Sequence, residues 1–422
     1  MENFINVYLA KHSFRPGIDE KPDPDLDICI VIPCYNESGL IRTLQSLWDC
    51  DRPSTSTEVI VVINCPENSP TEILKQNQDT LNKAQDWAKS VSNSKLKVHF
   101  INKPDLPKKF AGVGLARKLG MDEAVYRLGL VNKLKGIIIG FDADSVCDAN
   151  YLTEIENHFL KNPKSSGVSI YFEHPVSGAE FEPEVYKGVA LYELHLRCLN
   201  QSLRYAGHPY AYHTVGSSFA VRMDEYVKQG GMNKRQAGED FYFLQKIIAL
   251  GTYTEINTTR VIPSPRESDR VPFGTGASMR QWMTDKSMKT YNLSAFEDIH
   301  RFIGCVKQLY EGRQDTLTFL REKLSAPLYQ FLQAANVHDE IVSIRANSAS
   351  FQTFQTRFFR WFNAFKVIKY LNFSHENYYR KVEVETAALN LIGKLGLAID
   401  SSEPVKLLSF YRELDRTGFG LI

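Results

Sequence analysis

The chain has 422 residues, 43% of them hydrophobic and 23% charged, which is enough to bury a sizeable core and too long for one ordinary domain. Its 50 basic and 49 acidic residues leave a formal net charge of +1, so there is no electrostatic ground for a nucleic-acid partner. No apolar run reaches the roughly 18 residues of a membrane-spanning helix, and the charged stretch Met1–Lys21 lacks the apolar middle of a secretory signal.

Residues 1–25 read as an N-terminal extension. Ile28-Cys29-Ile30-Val31-Ile32 is a continuous apolar run ending at Pro33, the pattern of a strand buried on both faces. Ser38 can cap a helix whose apolar residues Leu40, Ile41, Leu44, Leu47 and Trp48 recur at helical spacing. Val59–Ile63 reads as a second strand, followed by a polar turn and a long helix to about Val91. Leu96–Ile101 is a third strand, and Val113, Ala116, Leu119 and Ala124 mark another helix. Gly136–Phe141 is a fourth strand that runs directly into Asp142-Ala143-Asp144. Strands separated by helices of this length predict an α/β fold with a mostly parallel, doubly wound sheet. A long amphipathic helix is expected over Pro183–Tyr205, a strand over Ser217–Arg222 and a helix over Asp240–Leu250. The Pro-, Gly- and Arg-rich stretch 263–276 reads as a loop. Beyond Trp282 helical spacing takes over, as in Phe302, Val306, Leu309 and Tyr310, so a sheet-bearing domain is expected over 26–284 and a helical one over 285–422. The seven cysteines lack metal-ligand spacing, and the expectation is a reduced, cytoplasmic protein. Peripheral contact with the inner face of a membrane and a homodimer stay open.

Ligands of open parallel sheets bind beyond the carboxyl ends of the strands. Three polar clusters sit at such ends: Tyr35-Asn36-Glu37, Asn64 and Asp142-Ala143-Asp144. Carboxylates on either side of one residue make a hard-cation site suited to Mg2+ or Mn2+, and both are expected to stand exposed in the cleft. Glu239-Asp240 precedes a helix starting Phe241-Tyr242-Phe243-Leu244, where Asp240 reads either as a helix cap or as a working carboxylate.

Taken together, Ile28 through Glu37, Gly114-Leu115-Ala116-Arg117-Lys118-Leu119-Gly120, Asp142-Ala143-Asp144, and the block from Gly216 through Gly230-Gly231 to Glu239-Asp240 resemble the family 2 glycosyltransferases of the GT-A fold, Rossmann-like in architecture. The resemblance spans residues 26–262. It implies an inverting transferase, a hexosyltransferase, that takes a sugar from a UDP- or GDP-sugar to a hydroxyl acceptor such as a glycan, or a cell-envelope polysaccharide or lipid precursor. It further implies that Asp142 and Asp144 contact the nucleotide and a divalent cation, Mg2+ or Mn2+, and that Asp240 is the general base, with Glu239 beside it. Pro33, Tyr35, Asn36, Glu37, Asn64 and Ala143 fall at donor-binding positions of the same motifs, and the acceptor-side block covers 213–250. Where the family commonly has Asp-Asp-Gly-Ser, this chain reads Asn64-Cys65-Pro66-Glu67-Asn68, which leaves uridine and guanosine both open. The processive motif Gln-x-x-Arg-Trp is not matched by Arg280-Gln281-Trp282.

Lys108, Lys109 and Arg117 are candidates to line a diphosphate site, and Arg266, Asp269 and Arg270 to form a lid over the donor, with a surface linker as the alternative. His213 is a candidate metal ligand or a structural histidine. Two rival functions are a nucleotidyltransferase making an activated sugar, which usually carries a glycine-rich phosphate loop, and a non-catalytic carbohydrate-binding protein on the same fold.

Overall fold

A computed structural model describes residues 2–91, 95–268, 274–312 and 314–417. The chain divides into two units, each assembled from separated stretches: residues 1–178 with 214–280, and residues 179–213 with 281–422.

In chain order the first unit contains α1 (Glu2–Lys11), β1 (Leu26–Cys34), α2 (Leu40–Trp48), β2 (Ser56–Pro66), α3 (Thr71–Ser90), β3 (Leu96–Leu106), α4 (Val113–Leu130), β4 (Ile137–Gly140), β5 (Val146–Cys147), α5 (Tyr151–Lys161) and β6 (Gly167–Phe172). After α6 (Pro183–Tyr205), which belongs to the second unit, the chain returns with β7 (Phe219–Arg222), α7 (Met223–Lys228), α8 (Glu239–Ile248) and β8 (Tyr253–Ile262). One eight-stranded sheet results, in the order β3-β2-β1-β4-β7-β6-β8-β5. β1 is parallel to β2 and β4, β2 to β3, and β6 to β8, while β7 is antiparallel to both its neighbours and β5 to β8. The mostly parallel sheet expected from the sequence is thus present.

β1 and β2 lack apolar–polar alternation because they are covered throughout: Ile28 to Ile32 and Ser56 to Cys65 are all buried. β2 and β3 run several residues past their expected ends. Ser38 does not cap α2; Gly39 precedes the helix, and its N–H donates to Glu37 Oε1 at 2.8 Å. Within residues 1–25, Tyr8 Oη donates to Asp122 Oδ1 at 2.7 Å and the Gly17 N–H to Glu123 Oε2 at 2.7 Å, both on α4.

α9 (Thr275–Asp285) begins inside the stretch expected to be loop. The second unit continues with β9 (Lys289–Thr290), α10 (Leu293–Gly304), α11 (Val306–Glu311), α12 (Thr316–Lys323), α13 (Ala326–Ala334), α14 (Val337–Ala346), α15 (Phe351–Trp361), α16 (Ala364–Asn377), β10 (Val382–Glu383), α17 (Val384–Lys394) and α18 (Pro404–Thr417). Helices dominate as expected, with one addition, the antiparallel β9–β10 pair. Phe302, Leu309, Phe354, Phe358, Phe362 and Tyr370 lie in its core.

α6 packs against α10, α17 and α18 within the second unit. A buried ionic network accompanies that packing. On α6, Arg197 Nε donates to Glu193 Oε1 at 2.8 Å, and Arg197 also pairs with Asp415 of α18. Arg412 joins Glu193, Gln201 donates to Asp415, and His213 Nε2 lies 3.0 Å from Asp415 Oδ2. His213 is therefore held within the second unit. Among the described residues no helix is long and apolar enough to cross a membrane, and no disulfide forms.

Candidate active site

β1 ends in a tight turn in which Asn36 adopts φ 48°, a left-handed conformation that asparagine tolerates. The Asn36 N–H donates to Asn77 Oδ1 at 2.8 Å, and Asn77 Nδ2 donates to Asn64 O at 2.9 Å. Asn77, on α3, thereby ties the end of β1 to the end of β2. One turn further along, Thr80 Oγ1 donates to Glu37 O at 2.7 Å. Asn64 is buried within β2 and not in a turn after it, while Pro33 and Tyr35 are half-buried.

Glu37 is 1% exposed and its carboxylate pairs with Arg266. Nη2 of the same guanidinium also reaches Asp144 Oδ2 at 2.8 Å. Arg117, 2% exposed, pairs through Nη1 with Glu239 and through Nη2 with Asp142 Oδ1 at 2.6 Å. Asp142 and Asp144 were expected to stand open. Instead each faces an arginine, with side chains 37% and 27% exposed. Ala143 between them is buried, and its carbonyl accepts from Thr43 Oγ1 of α2 at 2.9 Å, which anchors the motif.

The acceptor-side residues arrive through the antiparallel β7. Pairing of Phe219 with Gly140 sets the residues before Phe219 at the carboxyl end of β4, where Asp142 begins. A Cβ on Gly216 would lie 2.9 Å from Asp240 Oδ2 and 3.0 Å from both terminal nitrogens of Arg117, so a side chain there would push the carboxylate and guanidinium aside. Gly238, at φ 68°, precedes α8, which starts one residue earlier than expected. Asp240 is consequently the second helical residue and not the cap. Its Oδ1 accepts from the Phe241 N–H at 2.7 Å, and it is half-buried, whereas Glu239 is buried.

One guanidinium thus serves three carboxylates. Burial pushes the Glu239 carboxyl up to about 7; Arg117 opposes the rise, and Asp240 and Asp142 add to it. Asp240 is raised by burial as well, against the pull of Arg117 and the Phe241 and Gly216 amides. Arg117 remains a cation because Glu239, Asp142 and Asp240 outweigh its burial.

Asp142 and Asp144 offer the oxygen donors that suit Mg2+ or Mn2+. Among the described residues no three His, Cys, Asp or Glu side chains are gathered for a metal, so a cation held by these two would complete its shell with water and phosphate oxygens. Lys108 and Lys109 are exposed, and Lys109 Nζ lies 5.4 Å from the Phe110 ring centroid. Arg270, like Asp269, lies outside the described residues. Asn77 was not anticipated, yet it left a signal: it occupies the buried stripe of α3 with Thr80, Leu81 and Ala84, where helical periodicity calls for apolar side chains.

An open α/β sheet with carboxylates gathered at the carboxyl ends of its strands defines a unit that receives its ligand there. Residues 29–211 match the family described as Glycosyl transferase family 2, a family of glycosyltransferases. Comparison with curated proteins gives no match. Among solved structures, TarS residues 1–349 from S. aureus in complex with UDP-GlcNAc is 14% identical, covers 93% of this chain and 92% of its own, and has a TM-score of 0.38. The mannosyltransferase PcManGT from Pyrobaculum calidifontis, in complex with GDP-Man and Mn2+, is 15% identical over 99% of both chains, with a TM-score of 0.34. At those scores the likeness carries no argument of its own.

Proposed function

We propose that this chain moves a hexose from a UDP- or GDP-sugar to a hydroxyl acceptor with inversion, using Asp240 as general base. Support comes from Arg117. It joins Asp142 to Glu239 while Gly216 lets Asp240 approach the same guanidinium, so the donor-side and acceptor-side carboxylates form one cluster. Asp240 is the better base of its pair, because it is half-buried where Glu239 is enclosed. Its raised pKa makes it a stronger proton acceptor than an ordinary aspartate. Glu239 acts through Arg117 and is a positioning residue.

Asp142 and Asp144 would hold a divalent cation, which when bound offsets the charge of a departing nucleoside diphosphate. The acceptor is a glycan or a cell-envelope precursor, met in the cytoplasm or at the inner face of a membrane.

Asp240→Asn tests the assignment. Asparagine can still accept from the Phe241 N–H, so melting temperature and nucleotide binding should hold. Loss of the base should slow transfer on the order of 100- to 10,000-fold. Transfer at near the wild-type rate would remove Asp240 from the mechanism. If Glu239→Gln alone gives the selective loss, the base is Glu239.

A further inference from the structure

We propose that the Arg266 guanidinium is the resting occupant of a cation position formed by Glu37 and Asp144, and that a divalent cation binds there by displacing it. The proposal rests on reading Asp144 as a metal ligand and adds Glu37, which no motif marks as one. Arg266 Nη2 is bonded at once to Glu37 Oε2 and Asp144 Oδ2, and Nη1 lies 3.1 Å from Glu37 Oε1. A single nitrogen within hydrogen-bonding reach of both places the two carboxylate oxygens no more than about 6 Å apart. Two oxygens converging on one positive centre form the start of a hard-cation shell.

Charge decides what can sit there. Arg266 brings one positive charge to these two carboxylates, whereas a dication would bring two to the same oxygens. Arginine and a dication together would set like charges a few ångströms apart in a half-buried place, where solvent screens their repulsion poorly. The two therefore exclude each other. Arg266 is the partner that can leave. Its side chain is 30% exposed, while the Glu37 side chain is 1% exposed and is fixed by the Gly39 N–H, with its own carbonyl held by Thr80.

The test is Mn2+ binding to the full chain with no nucleotide present, read from the paramagnetic resonance of the free ion. Arg266→Gln should bind Mn2+ roughly tenfold tighter or more than wild type. It should also melt lower than wild type in chelator and recover that loss in Mn2+. Glu37→Gln should bind more weakly than wild type. Should Arg266→Gln fail to fold, Arg266→Lys keeps a charge on a shorter reach and should bind between the two. Equal or weaker Mn2+ binding by the Arg266 variants overturns the displacement, and unchanged binding by Glu37→Gln removes Glu37 from the shell. A wild type that transfers sugar in chelator, with no Mn2+ bound to any variant, makes Arg266 a permanent cation and overturns the proposal while leaving the transferase reading intact. If the Mn2+ results are as expected but no nucleotide-sugar is turned over, the transferase reading fails and the cation exchange stands.

Discussion

Both units bury a carboxylate against a buried arginine, and the outcomes are opposite. In the sheet unit Glu239 lies on Arg117 and its carboxyl is pushed up to about 7. In the helical unit Asp415 lies on Arg197 and, although burial pushes it up, its other partners bring it down to about 2. The difference is stoichiometry. Arg117 is divided among Glu239, Asp142 and Asp240, whereas Asp415 is served by His213, Arg197 and Gln201 together. Burial alone predicts neither result; the ratio of donors to charges does. An under-supplied cluster stays electrically unfinished, as a site awaiting a ligand must be, while an over-supplied one is finished and structural.

The largest expected effect comes from cutting between the units where the sequence invites it. A chain ending at residue 284 keeps α6 but removes α10, α17 and α18, and strips Asp415 and Arg412 from Arg197 and Glu193. It should be insoluble or lack a cooperative melt. A soluble 1–284 product with a sharp transition would return α6 to the sheet unit.

Next come the two arginines. Removing one partner of a buried pair costs about 3–5 kcal/mol, so Arg117→Met and Arg197→Met should each lose about that much at pH 8 in urea melts. At pH 6 the Arg117→Met loss should shrink, because Glu239, already raised, can take up a proton instead of staying as an unpaired buried charge. The Arg197→Met loss should change less between the two pH values, since Arg412 still holds Glu193, and Gln201 and His213 still hold Asp415. Equal pH dependence in the two variants would break the contrast.

The smallest effect is a slope. The folded-state pKa of Glu239, about 7, lies above its ordinary 4.5, so the folded protein holds this proton longer than the unfolded chain. Its contribution to stability is fully present below 4.5 and is lost as pH rises to about 7. Asp415 works in the other direction: its contribution is present above 3.8 and is lost as pH falls through about 2. Glu239→Gln should remove the decline in stability between pH 5 and 7 and leave the acid limb unchanged; Asp415→Asn should do the reverse. A Glu239→Gln curve parallel to wild type would show that Glu239 titrates normally.

Much of the sheet was legible because β1, β2 and β4 are covered on both faces and so read as unbroken apolar runs. β8 was not, since Tyr-Thr-Glu-Ile-Asn-Thr-Thr-Arg-Val-Ile alternates polar and half-buried residues, and β5 is two residues long. The paired aspartates and Glu239-Asp240 were visible as motifs. Their partners were not: Arg117 meets Glu239 where α4 packs against α8, and Gly216 comes up to Arg117 and Asp240 through the antiparallel β7, juxtapositions that local sequence does not encode. The limits of α6 were legible from its periodicity, but a buried face does not say which helices will cover it.

The interleaving of the two units also sets a timetable for synthesis. Glu37, Arg117, Asp142, Asp144, Gly216, Glu239, Asp240 and Arg266 have all been synthesised once β8 and the residues just after it are made. The carboxylate cluster can therefore close before α18 is synthesised. α6 is made earlier than β7 but covered later, because its partner α18 is the last of the described helices. During that interval its apolar face, including Val189 and Leu194, is without its native cover, so the growing chain is most exposed to aggregation after its sheet unit is complete and before α18 arrives.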